Sequence, residues 1–219
     1  MFSQPIQRLT EFFLKFPGVG PKQAARFVFH LLREDGATVR ELAEAIARIQ
    51  DEVRLCGQCY KTFDANGGAA AREAGGATET ALCELCRSQK RDARQVLVIE
   101  KEADLENIER TRTYEGLYHV LGGVINPLDS SAPARLHLKE LFARMEKMSQ
   151  EPGGLELILG TNPTTEGDAT ALYLERVFAP LRGQHPSFRI SRLGRGLTTG
   201  SELEYSDEMT ITNALQNRK

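Results

Sequence analysis

Gln95-Val96-Leu97-Val98-Ile99-Glu100 holds four consecutive apolar residues closed by a carboxylate. A short apolar run rich in branched residues, with no polar alternation, reads as a buried strand. Working outward, residues 104–112 read as a short helix with Leu105 and Ile108 inward. Residues 116–121 read as a second strand ended by Gly122-Gly123, followed by a loop holding Asn126-Pro127-Leu128-Asp129. A helix over 134–148 buries Leu136, Leu138, Leu141 and Met145. Residues 155–159 read as a third strand, 166–178 as a helix and 188–191 as a fourth strand. Strands alternating with helices from about 95 to 191 predict a parallel α/β sheet with helical crossovers. A short helix is expected after Asp207.

Upstream of this unit lie the four cysteines of the chain, Cys56, Cys59, Cys83 and Cys86, two Cys-x-x-Cys pairs 23 residues apart. Two such turns supply the four soft ligands that tetrahedral Zn²⁺ takes in a closed structural site. The N-terminal residues show no cationic patch followed by an apolar core, so a reducing compartment is expected, and a metal site before a disulfide framework. The zinc would serve folding, because protein atoms fill all four positions. Between the pairs, the Gly/Ala-rich stretch 64–80 reads as a mobile insertion. Beyond them Arg87, Lys90, Arg91 and Arg94 have helical spacing on one stripe.

The first 53 residues read as a helical module. Apolar Phe2, Ile6, Leu9, Phe12, Phe13 and Phe16 recur at helical spacing, and Pro17-Gly18-Val19-Gly20-Pro21-Lys22 makes a tight turn into a second helix. That helix places Ala24, Phe27, Val28, Leu31 and Leu32 on one face and Lys22, Arg26, His30 and Arg33 on the other. A third helix is expected from Thr38, capped with Glu41 and carrying Leu42, Ile46, Ile49 and Val53 inward. A Gly-rich turn at a helix start offers backbone N–H groups to a phosphate oxygen, and Lys22 and Arg26 sit one turn apart to neutralise its neighbours. Such contacts hold a nucleic-acid backbone without reading sequence.

Bulk composition is neutral on function. The 219 residues carry 28 Lys and Arg against 30 Asp and Glu, a net charge of −2, so nucleic-acid binding has to rest on local patches. Hydrophobic residues at 41% and charged residues at 26% fit a globular chain, and no apolar run reaches the ~20 residues that span a bilayer.

The Pro-Gly-Val-Gly-Pro-Lys string resembles the helix-hairpin-helix of non-specific DNA-binding proteins. Glu100 at the end of one strand, and Asn162-Pro163-Thr164-Thr165-Glu166-Gly167-Asp168 after another, resemble a Toprim domain. Active Toprim members place a Glu at the first position and Asp-x-Asp at the second to hold Mg²⁺. Here the Asp-x-Asp positions fall on Asn162 and Thr164, leaving only Glu100, Glu166 and Asp168 acidic. Mg²⁺ requires hard anionic oxygens, so its site is expected to be greatly weakened and strand cleavage lost.

The order helix-hairpin-helix, four-cysteine zinc knuckles, Toprim sheet and C-terminal tail with a short helix resembles the bacterial RecR family of recombination mediators. Matching strings include residues 16–22, 118–123, 126–129, 161–164, 166–170 and 203–208. The resemblance implies a multi-module α/β chain: 1–53 helix-hairpin-helix, 54–87 zinc module, 88–191 Toprim-like domain and 192–219 oligomerisation segment. It implies a cytoplasmic, nucleoid-associated, non-enzymatic DNA-repair protein. Such a protein assists RecO and RecF in loading RecA onto single-stranded DNA coated by single-strand-binding protein. Gly18, Gly20, Lys22 and Arg26 would contact single- and double-stranded DNA. Cys56, Cys59, Cys83 and Cys86 would hold one zinc and fix the hinge between modules. The face around Glu100, Glu166 and Asp168 would receive partners, and a homodimer to homotetramer would form a ring-shaped clamp. The rival readings are a metal-dependent Toprim nuclease or topoisomerase-like enzyme, and a zinc-bearing interaction module without DNA contact.

Overall fold

The computed structural model describes residues 2–64, 81–129, 132–200 and 202–218. The stretch 65–80, which carries nearly all of the expected insertion, lies outside the described residues. The chain forms two compact units, Met1–Val53 and Arg54–Lys219.

In the first unit, α1 (Gln4–Phe13) and α2 (Pro21–Leu31) pack against each other. Phe13 meets Phe27 edge-on at 5.4 Å between ring centroids, Phe2 meets Phe29 likewise, and Ala24 and Val28 are buried. The third helix, α3 (Gly36–Glu52), departs from expectation at both its start and its apolar face. Its cap is Asp35, not Thr38. The Asp35 carboxylate accepts from the amides of Ala37 and Thr38 and from the Thr38 hydroxyl, which also holds its pKa below the usual carboxylate range. A carboxylate complements the partial positive charge of a helix start better than a hydroxyl does, and Gly36 follows it without a side chain to interfere. Nor do Leu42, Ile46, Ile49 and Val53 point into a core. No α3 residue is buried, and Ile46 and Ile49 are 64% and 60% exposed. Amphipathic spacing fixes which face is apolar, but not what covers it.

A two-stranded ribbon, β1 (Val53–Leu55) and β2 (Thr62–Asp64), starts at the last residue of the first unit and leads into the second, followed by the short helix α4 (Glu84–Arg87). Then come β3 (Asp92–Ile99), α5 (Glu102–Thr111), β4 (Gly116–Val120), α6 (Leu138–Ser149), β5 (Leu155–Gly160), α7 (Thr165–Gln184), β6 (Phe188–Arg192) and α8 (Glu208–Gln216). The four long strands are all parallel, in the order β4-β3-β5-β6. Alternate residues of β3 serve two cores. Val96 and Val98 face Leu141, Met145, Leu174 and Phe178 from α6 and α7, while Leu97 and Ile99 face Leu105 of α5 and Tyr118 and Val120 of β4. Glu100, Asn162 and the start of α7 therefore meet where the strand order reverses, beyond the carboxyl ends of β3 and β5.

The basic stripe expected over Arg87–Arg94 does not form. Only Arg87 is helical, and β3 has already begun at Asp92. Arg91 is spent on structure: it donates to Gly116 O at 2.7 Å, pairs with Glu109 and lies over the Tyr118 ring. Arg94 pairs with Asp92.

Candidate metal centre and nucleic-acid interface

The four cysteines, whose two pairs are linked by contacts across 24 and 27 residues, are brought together by two turns of different build. The first turn, Cys56–Cys59, closes through the Tyr60 amide donating to Cys56 O and the Cys56 amide donating to Lys61 O. Tyr60 takes the left-handed backbone conformation (φ 63°) needed to swing the chain back toward β2. The second pair flanks the start of α4, and the Cys83 amide donates to the Cys56 sulfur at 3.4 Å. Every ligand sulfur lies within 4.8 Å of the others, and Cys59 and Cys83 stand 3.5 Å apart. Metal–sulfur bonds of ~2.3 Å in a tetrahedron place sulfurs at about these separations. The cluster could hold one metal ion.

Crowding makes the four thiols disagree about ionisation. Cys59, through its thiol contact, pulls Cys56 down, whereas Cys56 pushes both Cys59 and Cys86 up. Cys56 also raises Cys83, but Cys59 and Cys86 together bring it to about 7. A bound divalent cation ends the conflict, because it favours the thiolate at every position. The donor set therefore fits a soft tetrahedral metal.

Of the acidic positions, Glu100 is buried, and both of its oxygens are occupied. Oε1 accepts from the Asn162 amide and Oε2 from the Asn162 side-chain Nδ2, each at 2.6 Å. Asn162 thus does more than lack a charge: it donates a hydrogen bond to each Glu100 oxygen, where an aspartate would have supplied a second anion. Gly167 permits this approach, since a Cβ there would stand 2.1 Å from Asn162 O and 2.8 Å from Glu100 Oε1. Thr164 caps α7 by accepting from the Gly167 amide. Asp168 is turned away to a two-pronged pair with Arg195 and a longer contact to Arg192. The Arg195 hydrogen bonds hold Asp168 below the usual carboxylate range. Glu166 is exposed. Among the described residues the three acids do not converge as a metal-ligand group.

In the first unit, Gly18 has φ 77°, with open space where a side chain would stand, and Gly20 caps α2. Val19 donates its amide back to Phe16 O, while the amides of Gly18 and Gly20 have no partner among the described residues. Lys22, Arg26 and His30 are exposed along α2, and Arg33 is exposed just beyond its end. No carboxylate pairs with Lys22, Arg26 or Arg33 among the described residues, and His30 contacts Glu34 at 3.5 Å.

Sequence reasoning missed three residues here. Arg195, set in a Gly-rich turn, gave no sign of binding Asp168. Asn162 showed only as a lost ligand. Arg144, in the helix expected over 134–148, carried no motif that set it apart. In the structure its Nη1 donates to Tyr118 O at 2.7 Å and to Gln58 O at 3.1 Å.

A parallel sheet with order β4-β3-β5-β6, a buried Glu after its first strand and a capped helix after its third defines a Toprim-type protein, and a Toprim domain model matches residues 94–193. Models described as "RecR, helix-hairpin-helix" and "RecR, C-terminal" match residues 6–49 and 199–219. The chain is similar along its whole length to the recombination protein RecR of Myxococcus xanthus, at 40% identity over 99% of that protein. It is similar likewise to those of Cutibacterium acnes, at 37% over 96%, and Mycobacterium leprae, at 36% over 98%. The chain belongs to the recombination protein RecR family.

Proposed function

We propose that this chain is a DNA-binding recombination mediator in DNA repair that acts without catalysis, assisting RecO and RecF in loading RecA onto single-stranded DNA coated by single-strand-binding protein. The observation that carries the DNA contact is the exposed cationic row of Lys22 and Arg26 on α2 with Arg33 just beyond its end, beside the amides of Gly18 and Gly20, which have no partner among the described residues. Phosphate oxygens suit both groups, and neither discriminates bases, so single- and double-stranded DNA are both accepted. Two or three phosphate contacts bind weakly alone, and an assembly of two to four copies multiplies them by avidity. The uncovered apolar face of α3 and the exposed Leu203, Tyr205 and Met209 of the 192–219 segment support such a ring.

In this reading residues 1–53 hold DNA, and residues 54–87 bind one structural zinc through Cys56, Cys59, Cys83 and Cys86. Residues 88–191 present the Glu100, Glu166 and Asp168 face to partner proteins. The absence of catalysis is supported by the occupation of Glu100 by Asn162 and of Asp168 by Arg195, which leaves Mg²⁺ short of anionic ligands. No helix among the described residues is long and apolar enough to cross a membrane, and a cytoplasmic, nucleoid-associated setting suits the proposed substrate.

The test is gel-shift titration of the Lys22→Ala/Arg26→Ala variant across salt. Each lost phosphate contact removes about 0.7–0.9 from the slope of log K against log salt. Unchanged affinity and slope would remove DNA contact from this face. Nicking of supercoiled plasmid with Mg²⁺ that Glu100→Ala abolishes would make the protein an enzyme.

A further inference from the structure

Arg144 is placed where a lone cation is costly. It projects from α6, and its Nε and Nη2 are buried without a hydrogen-bond partner among the described residues. Its remaining nitrogen, Nη1, holds two backbone carbonyls, Tyr118 O in β4 and Gln58 O between the first two cysteines. No carboxylate pairs with it among the described residues, and a guanidinium does not shed its proton to escape burial. A buried charge of this kind requires a counter-charge. The groups that supply one are the thiols of Cys86, Cys59 and Cys56. Their ionised forms act on Arg144 electrostatically and oppose the desolvation that pulls its pKa down.

A divalent cation bound by four thiolates is a net dianion. Closed inside protein, it needs hydrogen-bond donors and positive charge in its surroundings as much as it needs its ligands. We infer that Arg144 is the counter-cation of the four-cysteine centre and, through Nη1, the latch that ties the first cysteine turn to β4 and α6. This rests on the zinc reading above. The guanidinium fork serves both tasks: one nitrogen fixes the loop between Cys56 and Cys59, and the other two stay buried without a hydrogen-bond partner among the described residues, their charge held beside that loop. The Cys59 carbonyl is pinned beside it by the Val120 amide at 2.8 Å, so the carbonyls of both Gln58 and Cys59 are held by the sheet unit. A positioning residue that stabilises the metallated state more than the metal-free one should act chiefly on how fast the metal leaves.

The test uses full-length protein and the variants Arg144→Lys, Arg144→Gln and Arg144→Met, with zinc transfer to a chromophoric chelator followed in time and folding checked by circular dichroism. Arg144→Met keeps the apolar stem without the charge, and should release zinc about tenfold or more faster than the parent. Arg144→Gln should resemble it, and Arg144→Lys, which keeps the charge, should stay within about threefold of the parent. With Co²⁺ in place of zinc, the sulfur-to-metal absorption band should shift in the neutral variants and not in Arg144→Lys. Release at the parent rate from Arg144→Met, or equal loss from Arg144→Lys and Arg144→Met, overturns the assignment. Where Arg144→Met does not fold, Arg144→Lys decides: folding with slow release supports a charge role, and failure refutes it. Parent protein that folds with no metal overturns the zinc reading and this assignment together, whereas a zinc-loaded parent with an indifferent Arg144→Met overturns the assignment alone.

Discussion

Alanine in place of a helical glycine ordinarily stabilises a protein, and α7 contains two glycines that should respond in opposite directions. Gly183 has open space around the position of a Cβ and an ordinary backbone conformation. Gly183→Ala should therefore gain about 0.5–1 kcal/mol from helix propensity and a less free unfolded chain. Gly167 lies in the first turn of the same helix, where a Cβ would stand 2.1 Å from Asn162 O and 2.8 Å from Glu100 Oε1. Comfortable contact needs about 3.5 Å or more, so the backbone of Asn162 must retreat by over an ångström. That movement strains the turn, at about 1–3 kcal/mol by analogy with overpacked cores. It also withdraws the two donors that hold the buried Glu100, and bonds to a charged group are worth about 1.5–3 kcal/mol each. After the helix gain is subtracted, Gly167→Ala should lose about 3–8 kcal/mol. With a urea slope of about 2 kcal/mol per molar, the midpoint falls by roughly 1.5–4 M, while that of Gly183→Ala rises by a few tenths. Urea titration of the metal-loaded variants by circular dichroism reads both. A midpoint for Gly167→Ala at or above that of Gly183→Ala would refute the claim that the helix start is clamped against Glu100.

Three further outcomes follow from the same geometry. His119 is fully buried, with Nε2 held to His137 O at 2.8 Å and Nδ1 without a partner among the described residues, and burial lowers its pKa to about 3. The unfolded chain gains a proton at this residue near pH 6.5 and the folded one does not, so stability should fall as pH drops below 6.5, by up to about 1.4 kcal/mol per pH unit. His119→Gln should flatten that slope between pH 7.5 and 5.5, and an unaltered slope assigns it to other groups. Removal of metal by a strong chelator should unfold the segment around Cys56–Cys59 and abolish protection of the Cys59–Val120 contact in hydrogen exchange, at a ratio of one metal per chain. Metal analysis well below one per chain in folded protein contradicts this. Ile46→Glu on the uncovered face of α3 should lower the mass measured by light scattering without unfolding the monomer. A mass equal to the parent's removes α3 from the assembly.

The sheet was legible because its two central strands carry mainly apolar runs whose ends are buried or half-buried. Gln95–Glu100 and residues 155–159 announce themselves, and their ends agree with β3 and β5 within a few residues. The start of β3 was hidden because Asp92, Ala93 and Arg94 sit in an irregular register at the sheet rim, where polar side chains are tolerated. The cysteines were legible because metal ligation demands both residue type and spacing. Residues whose role depends on partners far along the chain were not. Arg144 and Gln58 are separated by 86 positions, Asp168 and Arg195 by 27, and no periodicity joins them. The α3 face shows a third limit, since a stripe of Leu42, Ile46 and Ile49 looks alike whether it meets its own chain or another copy.

The bond from the Val120 amide to Cys59 O has a consequence for solubility. β4 is an outer strand of the sheet, and all five of its residues are buried. Uncovered, it would present an apolar ribbon with unspent amides, the template on which chains stack edge to edge. The first cysteine turn sits over that border. Oxidation of the thiols, or loss of a metal bound by them, would then do more than loosen a small loop: it would bare a sticky margin and favour precipitation.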